Sequence, residues 1–367
     1  MKKIPCIYLV LALIIALGAC NDPVFYNISV EQPIADPLIA GSPANFVVYD
    51  NKVYVASGRS IYSYDGTGWN KIPSQPDGRI LQLAATDNYL YALSLKGSDE
   101  ARYAAYYDGG SWNDINVNNA QSIFAANNVL FICAGNGNVE GNAIFYANEG
   151  AGNASPIGGT DGKSLLNGMA YNGTGYFLCT KESGIFYVSG GSLGTATPIP
   201  ESSSINFTGI ISIGSSVVAI TRNDGYLFTV TAAGIDNKEI SFGRYSTGAL
   251  AVWENPADPA EKLLLAGRQD SLVYTVDSGY TYGYMEIDID SSGIKAGSAF
   301  REPGTGSPST VSDNARYVST IGKNPVNHIF QTPKSIDSEM ILFASTHKSG
   351  VWSYRDRENG PHWNAEE

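Results

Sequence analysis

Charge is scarce in this chain. Asp, Glu, Lys and Arg make up 16% of 367 residues, and there are only 3 His, 4 Cys and 4 Met. Beyond the first twenty residues no apolar run approaches the roughly 20 residues that a membrane-spanning helix needs. No stretch sustains helical spacing of apolar residues, which excludes a helix bundle. Basic residues number 23 against 35 acidic, a formal net charge of −12. Such a surface repels phosphate backbones and offers no polybasic patch, so nucleic acid is excluded as a partner. No Gly-rich phosphate loop or dinucleotide fingerprint occurs, and no cofactor is implied. His328, His347 and His362 follow no zinc spacing and have no Cys near them in sequence, so no metal site is expected.

Gly (40) and Tyr (23) are plentiful, and 43% of residues are hydrophobic. Many short strands joined by tight turns use residues in this way, Gly for positive φ and aromatics for pleated surfaces. From residue 45 a pattern recurs every 35 to 45 residues. One unit runs Asn45 to Asp50, Val53 to Ser57, Ile61 to Asp65 and Trp69 to Pro73; the next has Leu81 to Ala85, Leu90 to Ser94, Tyr103 to Asp108 and Trp112 to Ile115. Later second strands are Leu130 to Ala134, Tyr176 to Thr180, Val217 to Thr221, Leu263 to Gly267 and Ile341 to Ser345. Third strands follow at Ile144 to Tyr146, Ile185 to Tyr187, Tyr226 to Phe228, Leu272 to Tyr274 and Val351 to Tyr354. Near-continuous apolar strands suit sheets covered on both faces, as in a propeller whose blades sandwich one another. The expectation is an all-β protein, a β-propeller of seven four-stranded blades starting near residues 45, 80, 121, 166, 206, 247 and 315. Six or eight blades also accommodate the spacing, and a β-solenoid is disfavoured because its rungs are shorter.

Residues 1–19 read as an export signal: Lys2 and Lys3, an apolar core from Ile7 to Leu17, then Leu17-Gly18-Ala19-Cys20. This ending resembles the lipobox of bacterial lipoproteins. The resemblance implies cleavage before Cys20, acylation of Cys20, and a lipid anchor outside the cytoplasm, on the periplasmic face or the cell surface. Each buried methylene contributes about 0.8 kcal/mol, so more than one chain anchors stably. Residues 20–44, with Pro23, Pro33, Pro37 and Pro43, read as the lipidated Cys and a tether with one strand at Phe25 to Val30, and residues 45–367 as the propeller domain. The remaining interior cysteines, Cys133 and Cys179, hold one register of the second strand in neighbouring units, matched elsewhere by Ala56, Leu93, Ile220, Ala266 and Ala344. Face-packed sheets lie about 10 Å apart and a disulfide needs Cα atoms within about 7 Å, so two buried free thiols are expected.

Several motifs bear on chemistry. Asp65-Gly66 and Asp108-Gly109, each followed by a Trp (Trp69, Trp112), form hairpin turns. Thr275 to Tyr282 resembles the Asp-box of sialidase-type propellers, with Tyr282 where that family has Trp, and in that family the box is a structural turn. Sialidase chemistry would need clustered Arg residues, whereas the ten here are scattered. Gly190 to Gly194 matches the Gly-x-Ser-x-Gly string of serine hydrolases but follows a strand and precedes another, so it reads as a hairpin rather than a strand-to-helix elbow. Asp288 to Gly293 opens like a calcium loop, yet Ala299 stands where the closing Glu belongs. It reads as a solvated acidic turn.

In a propeller the blade connectors and the loops from second to third strands share one face. The stretches Leu95 to Arg102, Ala134 to Asn142 and Ser291 to Ser312 read as lengthened loops there. Lys96, Arg102, Asn136, Asn138, Arg301 and His347 are the candidate partner-binding residues, because function collects on loops held by a rigid scaffold. The chain looks like a propeller lipoprotein of Gram-negative-like envelopes. The expected role is a non-enzymatic, membrane-anchored binding or scaffold module for an envelope protein, the alternative being a glycan-binding or sialidase-like propeller.

Overall fold

The computed structural model describes residues 38–366 apart from 98–100, 118, 136–141, 149–152, 161, 163–164, 270–281, 303–324 and 358–359. Seven antiparallel four-stranded sheets follow one another along the chain, each built from one continuous segment in simple meander order. They span residues 47–71, 79–114, 120–156, 166–198, 207–240, 245–294 and 326–365. The seven-bladed propeller read from the repeats is the fold, and six of the seven expected starts fall within two residues of an innermost strand.

The second strand of each blade explains the apolar runs. In the strand Lys52–Ser57, Val53 and Val55 pack towards the last blade while Tyr54 and Ala56 pack towards the second. Alternate side chains therefore serve two interfaces, and no face is left for polar residues. Seven apolar clusters result, one at each seam between neighbouring blades.

The seam between the seventh and first blades closes the ring. Phe343 meets Tyr64 and Trp69 edge-on at centroid distances of 5.2 and 5.1 Å. Tyr64 Oη donates to Asp337 Oδ2 at 2.6 Å. Residues 38–41 join this seam: Ile39 is fully buried, and its carbonyl and that of Gly41 accept from Val351 and Gly350. The packed body thus reaches back to Leu38, inside the stretch read as a tether. The strand expected at Phe25 to Val30, like Cys20, lies outside the described residues.

The sixth blade departs most from expectation. Its third strand is Tyr282–Asp290 and not Leu272 to Tyr274, which lies outside the described residues together with most of the Asp-box-like segment. That segment falls between second and third strands, whereas Asp65-Gly66 and Asp108-Gly109 lie between third and fourth. Ser291 and Ser292 are likewise no loop on the connector face. They form the tight turn from Tyr282–Asp290 into the fourth strand Gly293–Ile294, on the opposite face. Asp290 caps that turn by accepting from Ser292 N and Oγ, as Asp65 does from Thr67 N and Oγ1. The acidic stretch is therefore the sixth blade's version of the Asp turn. Gly190 to Gly194 is the hairpin expected, joining Gly184–Ser189 to Ala196–Pro198.

Cys133 and Cys179 are free, fully buried thiols on different seams, one facing the fourth blade and one the fifth. Burial pushes both thiols up from their ordinary range. The register proposed for their equivalents holds through Ile220 and then slips by one. Ala266 and Ala344 face the preceding blade, not the following one.

Candidate functional site

One irregularity recurs around the ring. In six of the seven blades the pairing of innermost and second strands shifts register near the start of the innermost strand. A bulge of this kind leaves a residue unpaired and re-aims its side chain. The skipped positions are Leu81, Gln121, Asn167, Thr208, Thr247 (with Gly248 and Ala249) and Asn327. Asn45 takes the same place in the first blade, just after Ala44, whose N–H donates to Ala56 O. All seven line one cavity of about 640 Å³ on the ring axis. Its volume falls in the range of small-ligand sites.

Six of these seven residues carry an amide or a hydroxyl, and several hold neighbouring blades together. Asn45 Nδ2 donates to Leu83 O at 2.8 Å and Asn45 Oδ1 accepts from Leu83 N at 2.9 Å. Asn167 Nδ2 donates to Phe207 O, and Thr247 Oγ1 to Val326 O. Backbones come close here. Gly248 adopts φ +88°, and a Cβ on it would lie 2.3 Å from Thr208 O. These staples fix the ring before any ligand arrives.

Among the described residues lining the cavity, Arg102 is the only one with a permanent charge. It sits on the third strand Ala101–Tyr107 of the second blade and reaches across the seam. Its Nη1 donates to Gln121 Oε1 at 3.0 Å and to Gln121 O at 3.3 Å. His328, on the wall contributed by the seventh blade, is pushed down to about 4 by burial and is neutral near pH 7.

The other residues expected at a partner face are dispersed. Lys96 ends the second strand of the second blade, pairs with Asp114 at 3.1 Å and lies over the Tyr103 ring. With Trp112, Asn113 and Gln75 it lines a separate pocket of about 510 Å³ along the outer edge of that blade. Arg301 lies on the flank of the sixth blade, where its Nε donates to the buried Glu286 and its two terminal nitrogens grip Asp288. Asp288 is thus engaged by Arg301, which holds its carboxyl below the usual range. His347 follows the second strand of the seventh blade, its N–H donating to Pro325 O. Asn136 and Asn138 lie outside the described residues. Of the four described, Arg102 alone lines the axial cavity.

Sequence reasoning looked to loops and missed the axial ring. A signal was available: a polar residue stands at or beside the start of most units, as Asn45, Gln121, Asn167 and Thr247 do. The bulge hides it, because the side chain breaks the two-residue alternation of the strand that carries it.

The sequence matches no protein-family model and no curated protein. Solved structures do resemble the fold. YCF48 bound to D1 peptide aligns with a TM-score of 0.53 at 11% identity, over 87% of this chain and 93% of that one. Virginiamycin B lyase from Staphylococcus aureus aligns at 0.56 and 12%, over 86% and 96%. The extracellular domain of the putative one component system BT4673 from B. thetaiotaomicron aligns at 0.56 and 14%, over 89% of this chain and 40% of that one. At these identities the likeness is one of architecture: an all-β propeller.

Proposed function

We propose that this chain is an extracytoplasmic binding module, lipid-anchored through Cys20 to a cell-envelope membrane, whose ring engages a protein partner at the axial cavity. The observation that carries the reading is the set of bulges that turns one side chain per blade onto the axis of a stapled ring. A preformed polar cavity binds without first ordering its walls, which lowers the cost of association. The partner class draws support from YCF48, a propeller bound to a peptide. The anchor draws support from Leu17 to Cys20 in the sequence. Among the described residues no helix is long and apolar enough to cross a membrane.

A glycan-binding reading has one observation in its favour. The pocket beside Trp112 sets an aromatic ring next to Gln75, Asn113 and Asp114, the mixture of apolar face and planar polar groups that suits a sugar. Crosslinking in intact cells separates the two readings. A specific protein adduct, lost from membranes together with the chain in a Cys20→Ser variant, is the expected result. Absence of any adduct, with glycan capture that disappears in Trp112→Ala, would replace it.

A further inference from the structure

The Arg102 guanidinium has an unusual standing in this acidic protein. It is always ionised and presents five N–H donors in a planar fork. Among the described residues its hydrogen bonds run to Gln121, a neutral residue, through Nη1. No carboxylate among the described residues pairs with it. Its place is what sets it apart: it is the one permanent charge among the described residues of the cavity wall. It stands where the second and third blades meet the cavity, whose wall it helps to form.

The rest of the described wall is neutral, and Asn45, Gln121, Asn167, Thr208, Thr247 and Asn327 bring amides and hydroxyls to the ring axis. One cation among side-chain amides and hydroxyls matches an extended peptide carrying a carboxylate. The carboxylate takes the fork bidentately, and the peptide amides meet the amides and hydroxyls of the ring.

We infer that the axial cavity binds an acidic peptide segment, with the peptide carboxylate on Arg102 and its backbone against the amides and hydroxyls of the axial ring. This rests on the binding-module reading and names the ligand class of the same site. At physiological ionic strength screening acts beyond about 8 Å, so the acidic exterior opposes approach only weakly once the carboxylate reaches the cavity.

The test uses the full-length protein in detergent and two pools of end-capped hexapeptides, randomised at five positions and fixed as Glu or Gln at the sixth. The Glu pool should bind at least tenfold more tightly than the Gln pool. Arg102→Gln should abolish that preference, and Arg102→Lys should keep part of it with an unchanged melting temperature. Equal binding of the pools, binding of neither, or a Glu preference that survives in Arg102→Gln would overturn the inference. So would displacement by an oligouronate when neither peptide pool binds, since that would assign the cation to an acidic glycan. Loss of the cellular crosslink only in Cys20→Ser, and not in Arg102→Gln, would sink the peptide site and leave the binding module standing.

Discussion

Trp69 donates its indole N–H to Glu366 Oε2 at 3.0 Å, joining two residues 297 apart in the chain. Each blade takes all four strands from its own segment, so no shared sheet locks the ring. Closure falls instead to one seam, to its side chains together with the backbone bonds that Ile39 and Gly41 accept from Val351 and Gly350. Glu366 is 3% exposed, and its other oxygen accepts from Ser353 Oγ. The carboxylate therefore ties the outer edge of the first blade to the third strand of the seventh.

Glu366→Ala should loosen this seam first. The change leaves the Trp69 N–H and the Ser353 hydroxyl without their acceptor, at about 1–3 kcal/mol for each buried group stranded. Urea unfolding should show that loss, and hydrogen exchange should locate it in residues 38–71 and 341–366. Glu366→Gln keeps an acceptor and should lose less. Equal losses in the two variants would mean that the carboxylate does not hold the seam.

Gly248→Ala should be among the most damaging single-methyl additions to the protein. A Cβ there meets Thr208 O at 2.3 Å, and φ of +88° is strained for any residue with a side chain. Thr208 belongs to the fifth blade, and on its other side the sixth blade is already held to the seventh by the Thr247 bond to Val326 O. A loss of more than about 2 kcal/mol is expected from the clash and the backbone strain together. Gly191→Ala, with nothing within 4 Å of the added methyl, should change stability by less than about 0.5 kcal/mol. Thermal melts of the two variants side by side check both.

Much of this architecture was legible because the second strands are sandwiched. Runs such as Val53 to Ala56 and Leu130 to Ala134 are apolar at every position, and their recurrence, regular through the first six blades and then delayed to Leu342–Thr346, counts the blades. The reading failed where a strand carries charge. In Tyr282–Asp290 one face holds Tyr284, then Glu286 and Asp288, and Arg301, eleven residues beyond the end of the strand, helps make that face tolerable. A partner supplied from a later segment has no local signature. The axial ring stayed hidden for a related reason: what aims Asn167 or Gln121 inward is a register shift against another strand, a property of the pairing and not of the residue.

Arg301→Met should expose how much the sixth blade depends on that partner. Glu286 is 1% exposed, so removing the guanidinium leaves its carboxylate buried beside one neighbour fewer. Breaking a buried pair costs about 3–5 kcal/mol, and the 43% exposure of Arg301 places the expected loss near the lower figure. Adding Glu286→Gln to the same chain should recover a large part of it. A double-mutant cycle by urea unfolding reads the coupling; independent, additive losses would show that the pair contributes nothing beyond its separate members.

His328 should make the ring acid-sensitive. Burial lowers its pKa from 6.5 to about 4, so the folded protein holds the neutral imidazole while the unfolded chain binds a proton near pH 6.5. For a depressed pKa the stabilisation is complete above the unfolded value and is lost as pH falls from about 6.5 towards 4. At 1.36 kcal/mol per unit the loss approaches about 3 kcal/mol, an upper limit because the ring borders the cavity. Urea midpoints should therefore fall steadily between pH 7 and 4.5, beyond what surface carboxylates produce. His328→Gln should flatten that slope. Parallel slopes in the two proteins would remove His328 as the source.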